Sequence, residues 1–135
     1  MTSQEKIQAF LAGQRFAVVG ASQDRSKYGN KVLRAYLQNK RDVVPVHPSA
    51  IEVEGLTAFR DLASVPGSID GVSIITPPAV TERVVADAIA RGIKNIWMQP
   101  GAESEAAINA AETAGVNVIA GGPCILVALR YHEEG

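Results

Sequence analysis

Five short apolar runs constrain this chain more than any other feature. They cover residues 16–19, 42–46, 72–76, 95–98 and 116–119, and each ends at a glycine, a proline or both within a few residues. Continuous rather than alternating apolar runs mark strands buried on both faces. Between them lie segments with helical spacing. Residues 28–38 place Val32, Leu33, Tyr36 and Leu37 on one face. Residues 79–91 do the same with Val80, Val84, Val85, Ala88 and Ile89, and Gly92 follows as the stop. Residues 103–114 are alanine-rich with acids in the first turn, which complements a helix N-terminus. A further helix is predicted over 3–12, with Ser3 as its N-cap, and a short one over 124–131. Residues 52–56 read as an irregular or edge segment, and 61–65 as one helical turn. Strand–helix alternation of this kind predicts an α/β Rossmann-like fold: an open, five-stranded parallel sheet with helices on both faces. The expected strand order is 3-2-1-4-5, with a cleft between the first and fourth strands. A chain of 135 residues, 47% apolar and 20% charged, without repeat or linker, suits one domain over 1–135.

Several function classes fall away. Cys124 is the only cysteine, which excludes an internal disulfide and a cysteine-rich zinc site. A net charge of −1 argues against a general nucleic-acid binder. No run of ~20 apolar residues is present to span a bilayer, and residues 2–11 are mixed polar rather than a signal sequence. The cytoplasm is the expected location. No metal-ligand spacing and no nucleophile–base–oxyanion set can be assembled, so the chain is expected not to be an enzyme.

Ligands of open parallel sheets sit beyond the carboxyl ends of the strands, so the loops there carry the functional information. The first is the most telling. After the apolar run, Gly20-Ala21-Ser22 breaks the strand, and a helix starts at Tyr28. Strand, small-residue turn and helix start present free backbone N–H groups to a phosphate, and glycine permits close approach. Residues 21–41 carry Arg25, Lys27, Lys31, Arg34, Lys40 and Arg41 against Asp24 alone, a local charge of +5. The plainer reading is a tight turn before a solvated basic helix face. A nicotinamide dinucleotide is disfavoured: no glycine follows Gly20 until Gly29, and the second strand ends in Val46-His47-Pro48, with no acid for a ribose. A P-loop is absent as well.

Taken together, Gly20-Ala21-Ser22, Lys27-Tyr28-Gly29-Asn30, Pro45-Val46-His47-Pro48, Thr76-Pro77-Pro78, Gln99-Pro100-Gly101-Ala102 and Cys124-Ile125 resemble the small stand-alone CoA-binding proteins. Those are similar to the N-terminal domain of the succinyl-CoA synthetase alpha subunit. The resemblance runs from about residue 16 to 129. It implies binding of CoA or an acyl-CoA, with the diphosphate at Gly20, Ala21 and Ser22 and the pantetheine arm along Thr76, Pro77 and Pro78. Lys27, Tyr28, Asn30, His47, Pro48, Gln99, Gly101 and Cys124 complete the implied site. Two positions depart from the family pattern. Ser49 and Pro123 stand where a basic residue often occurs, and each removes a phosphate partner. The synthetase's phosphorylated histidine belongs to a domain outside this match, so ligase chemistry is not implied.

Alternatives remain at single residues. Ser22 reads as a phosphate donor or a turn serine, and Lys27 as a phosphate partner or a solvated lysine. Tyr28 either serves the ligand or packs under the turn. His47 either contacts the adenosine or is structural, with no neighbouring acid to orient it as a base. Cys124 is a small packed residue or a thiol placed to form a mixed disulfide with oxidised CoA. For the whole chain, an NAD(P)-binding enzyme or sensor and a ligand-free interaction module stand as alternatives. Protein partners are not legible.

Overall fold

The computed structural model describes residues 1–133. In chain order the elements are α1 (Ser3–Leu11), β1 (Arg15–Val19), α2 (Tyr28–Gln38), β2 (Asp42–Val46), β3 (Glu52–Val53), β4 (Leu56–Thr57), a 3₁₀ turn (Leu62–Ser64), β5 (Gly71–Ile74), α3 (Pro78–Ala90), β6 (Asn95–Met98), α4 (Glu105–Thr113), β7 (Asn117–Ile119) and α5 (Ile125–Ala128). The main sheet is parallel throughout, in the order β2-β1-β5-β6-β7. The fold class is the one expected. The cap of α1 is not: Thr2, not Ser3, accepts from the Glu5 N–H, and the Glu5 carboxylate returns a bond to Thr2, forming a capping box.

The strand order corrects the sequence expectation. In sequence numbering it is 2-1-3-4-5, not 3-2-1-4-5, because the third long strand (β5) pairs with the inner side of β1. The reason lies at the outer side of β2. After the β3–β4 hairpin, the chain runs back along β2, where Phe59 N–H donates to the Pro45 carbonyl (3.1 Å) and His47 N–H donates to the Phe59 carbonyl (2.8 Å). That edge is taken, so the next strand must cross to the other side of β1. Pro45, which has no N–H, is tolerated because its polar groups face this edge.

Right-handed crossovers then place the layers. The step from β1 to β2 puts α2 on one face, where it packs with α1 and α5 around Phe10, Phe16, Leu33, Tyr36 and Trp97. Every later step runs the other way, so the 3₁₀ turn, α3 and α4 cover the opposite face around Leu62, Val72, Val85, Ile96 and Ala107. The direction of winding reverses between β1 and β5. On the first face, Phe16 stacks on Phe10 (5.4 Å) and on Tyr36 (5.1 Å), and Trp97 meets Phe10 edge-on (5.4 Å). The Tyr36 hydroxyl and Ser73 Oγ, both fully buried, satisfy each other at 2.7 Å. Tyr36→Phe therefore leaves Ser73 without a partner and should cost about 2 kcal/mol in denaturant unfolding. Adding Ser73→Ala should recover part of that loss.

Asp70 joins the start of β1 to the start of β5. Its carboxylate accepts the N–H groups of Gln14 (2.8 Å) and Arg15 (2.9 Å), and these bonds hold its carboxyl below the ordinary aspartate value. A depressed folded-state pKa contributes stability that is present above the unfolded value, ~3.9, and is lost as pH falls through the folded one. Asp70→Asn should lower Tm at pH 7, and the gap from the unsubstituted protein should close below about pH 4.

Candidate functional site

In open parallel sheets the reversal of winding marks the ligand crevice, here between β1 and β5. Its geometry begins with a contact between backbones. Gly20 follows β1 at φ +99°, and a Cβ there would lie 2.2 Å from the Ile75 carbonyl oxygen. Gly29, in the first turn of α2, comes equally close: a Cβ on it would lie 1.9 Å from the Gly20 carbonyl oxygen. Helix and turn are therefore drawn tight, and the loop between them is pushed out over the strand ends.

The loop is held from behind by Asn30, which is fully buried. Its amide donates to the Ser22 carbonyl (2.8 Å) and to Glu54 (3.0 Å), and its oxygen accepts from Arg34 Nε (2.7 Å). This arrangement leaves the front of the loop unpaired. Among the described residues, the N–H groups of Ala21, Ser22, Tyr28 and Gly29 have no acceptor. They border a cavity of about 470 Å³ lined by the 20–22 turn, Lys27, Tyr28, Gly29, His47, Pro48 and residues 75–77.

Among the four helices of nine residues or more, the ends differ according to where they point. α1 and α4 carry side-chain caps, from Thr2 and Ser104, and an acid in the first turn. α2 and α3, which start at the cavity after Lys27 and Pro77, have neither. Their partial positive ends are left for an anion.

Nine of the residues expected at the site are thus together: Gly20, Ala21, Ser22, Lys27, Tyr28, His47, Pro48, Thr76 and Pro77. The other five lie elsewhere. Asn30 is the anchor behind the loop. Pro78 is the first residue of α3. Gln99 and Gly101 follow β6, one strand beyond the crevice, a direct consequence of the corrected strand order. Cys124 lies against α1 at a separate cavity, alongside Ile7 and Leu11.

Cys124 and Gln99 nevertheless reach the site indirectly, through Tyr28. The Tyr28 hydroxyl is 3.2 Å from Gln99 Oε1 and 2.8 Å from Cys124 Sγ. Gln99 Oε1 also accepts the Ile125 N–H at 2.9 Å, so Gln99, Tyr28 and Cys124 form one hydrogen-bonded cluster. Burial first, and the contact with Cys124 after it, push the Tyr28 hydroxyl up from its ordinary value.

His47 Nδ1 accepts from the N–H groups of Ser49 (3.0 Å) and Ala50 (2.8 Å). The imidazole closes the turn after β2, with its proton on Nε2. The Ser22 hydroxyl accepts from the Asp24 N–H (3.1 Å), so it shapes the turn while its own proton stays available.

The basic stretch is largely committed to the fold. Arg34 is buried and bonded to Asn30 and to the Arg25 carbonyl. Lys31 pairs with Glu133 at 3.0 Å, Arg25 faces Glu54 at 3.7 Å, and Arg41 donates to the Leu11 carbonyl. Lys27 is the cation of this stretch that lines the cavity. Counting charges along the sequence could not separate these roles, because the partners Glu54 and Glu133 lie outside the stretch.

A model of the CoA binding domain family matches residues 14–130. The chain belongs to this family. It is 30% identical over 90 residues to the alpha subunit of an ADP-forming acetate–CoA ligase II from Pyrococcus furiosus, a match covering 64% of this chain and 19% of that subunit. The chain thus spans about a fifth of that relative's length. Two solved structures cover nearly the same extent as this protein. A conserved hypothetical protein from Pyrococcus furiosus is 39% identical, with a TM-score of 0.80 over 86% of this chain and 99% of that one. A hypothetical protein from Pyrococcus horikoshii is 28% identical, with a TM-score of 0.88 over 94% and 89%.

The close approach at Gly29 makes a test of opposite sign to the usual rule. Gly→Ala inside a helix ordinarily stabilises by up to ~1 kcal/mol. Gly29→Ala should instead lower Tm, because its methyl group meets backbone that cannot move aside without displacing the Gly20 turn.

Proposed function

We propose that this protein binds coenzyme A or an acyl-CoA as a non-catalytic binding module, with the ligand diphosphate on the N–H groups of Ala21 and Ser22. The observation that carries this reading is the pair of uncapped helix starts, α2 and α3, converging with unpaired turn N–H groups on one cavity that holds Lys27. Membership of the CoA-binding family and similarity to a CoA-ligase subunit support CoA as that anion. Bound this way, the diphosphate would cover donors that otherwise face only solvent. The ligand would then run in two directions from the turn, with the Thr76-Pro77 side and the Tyr28 side as its walls. Among the described residues, no helix is long and apolar enough to cross a membrane, and the proposed ligand is a free small molecule.

The test is a thermal-shift and calorimetric titration with CoA, acetyl-CoA and NAD. Saturating CoA at about 100 times its Kd should stabilise the fold by ~2.7 kcal/mol, and NAD should not. Lys27→Glu should weaken CoA binding about tenfold or more by replacing attraction with repulsion at the phosphate, with little change in Tm of the free protein. No shift with either CoA or acetyl-CoA would refute the reading.

A further inference from the structure

The segment after α5 turns back along α2. Arg130 takes a left-handed backbone conformation, φ +54°, and the residues around it are fastened to the helix. The Asn39 amide donates to the Leu129 carbonyl (2.8 Å). Gln38 donates to the His132 carbonyl (2.8 Å) and accepts from the His132 N–H (3.2 Å). Glu133 pairs with Lys31, nearer the start of the helix, at 3.0 Å.

Against this segment lies Arg34, 4% exposed. A guanidinium keeps its proton, so burying it is costly unless both its charge and its N–H groups are met. Its partners come from two sides. Towards the loop they are neutral oxygens: Nε donates to Asn30 Oδ1 (2.7 Å) and Nη2 to the Arg25 carbonyl (2.8 Å). On the other side are the Glu133 carboxylate, 3.8 Å from Nη1, and the Tyr131 ring, with its centroid 5.5 Å from Cζ. Asn30 in turn donates to the Ser22 carbonyl (2.8 Å). Arg34 thus grips the 22–25 segment at both ends, Ser22 through Asn30 and Arg25 directly. The charged and aromatic half of its surroundings comes from residues 131–133.

We infer that Arg34 is a positioning residue for the anion-facing loop, and that residues 131–133 brace it, so that docking of this segment on α2 and binding of the phosphate ligand support each other. The inference rests on the CoA reading above and adds to it a dependence of the site on a segment that does not line its cavity. A planar fork of fixed donors can hold Asn30 and the Arg25 carbonyl at once, whereas a lysine would keep the charge and lose the geometry. Coupling of this kind is reciprocal: what the brace adds to ligand affinity, the ligand returns to docking of the brace.

CoA affinity and Tm, measured on the unsubstituted protein, Arg34→Met and Arg34→Lys, separate positioning from stability. Arg34→Met should lower Tm and weaken CoA about fivefold or more. Arg34→Lys should recover part of the Tm, because it keeps a cation beside Glu133, but little of the affinity. In both variants without ligand, exchange should quicken at the Asp24 and Lys27 N–H groups, which are bonded within the loop, and not at Gly115 N–H at the opposite end of the sheet. Affinity unchanged in Arg34→Met, or restored together with Tm in Arg34→Lys, overturns the assignment. A second arm needs no variant to fold. Saturating CoA should slow exchange at the Tyr131 and His132 N–H groups, which bond the Leu126 carbonyl and Gln38, about fivefold more than at Gly115. Equal slowing at all three overturns the brace. If the unsubstituted protein does not bind CoA, the CoA reading falls, and the Arg34 assignment then stands or falls on loop exchange in the free variants.

Discussion

The site depends on backbone packed against backbone. Gly20 lies against the carbonyl of Ile75, and Gly29 lies against the carbonyl of Gly20, both at distances that leave no room for a Cβ. This chain of contacts fixes three elements at once: the end of β1, the end of β5 and the start of α2. It brings a helix terminus directly over the strand ends. It also explains why the 21–27 loop can keep N–H groups unpaired, since Asn30 behind it supplies the order that hydrogen bonds in front would otherwise provide. The site is held from underneath by Asn30 and the glycine contacts, and open because of what is left off its face.

The distribution of helix caps follows the same logic. A helix start without a capping side chain is normally a loss of about 1 kcal/mol. Of the four helices of nine residues or more, α1 and α4 avoid it; α2 and α3 do not, and these two begin at the crevice. Stability forgone at these two ends is electrostatic potential retained where the strand winding reverses. The basic residues of α2 contribute less than their number suggests, because Arg34 and Lys31 are drawn to the Glu133 side of the helix.

Most of the element list was legible in the sequence, since continuous apolar runs and helical spacing are local signals. So was the turn at residues 20–22 with its neighbours Lys27, His47 and Thr76, because strand ends can be located once strands can. Strand order was not. It depends on which strand edge a later segment occupies, and the decisive segment, around Phe59, is too short and irregular to show periodicity. Pro45 in the middle of an apolar run was the available cue to an edge strand. That difference in strand order places the crevice beside β5 rather than β6, so Gln99 and Gly101, which the family resemblance puts at the site, lie one strand beyond it. Asn30 is expected from the sequence to serve the ligand, and the structure places it behind the loop; local sequence does not distinguish touching a ligand from holding the loop that borders the cavity.

The Phe59 segment that displaced the expected strand has an effect beyond topology. The outer rim of a parallel sheet is a row of unmatched peptide groups, able to recruit a strand from another molecule. Here that rim on β2 is sealed by the chain itself. The opposite rim, β7, is only three residues long, with the Asn117 side chain bonded to the Lys6 carbonyl of α1. Both flanks of the sheet are thus poor templates for intermolecular pairing. A small α/β protein built this way limits, through its own connections, the edge it offers to a neighbour's strand.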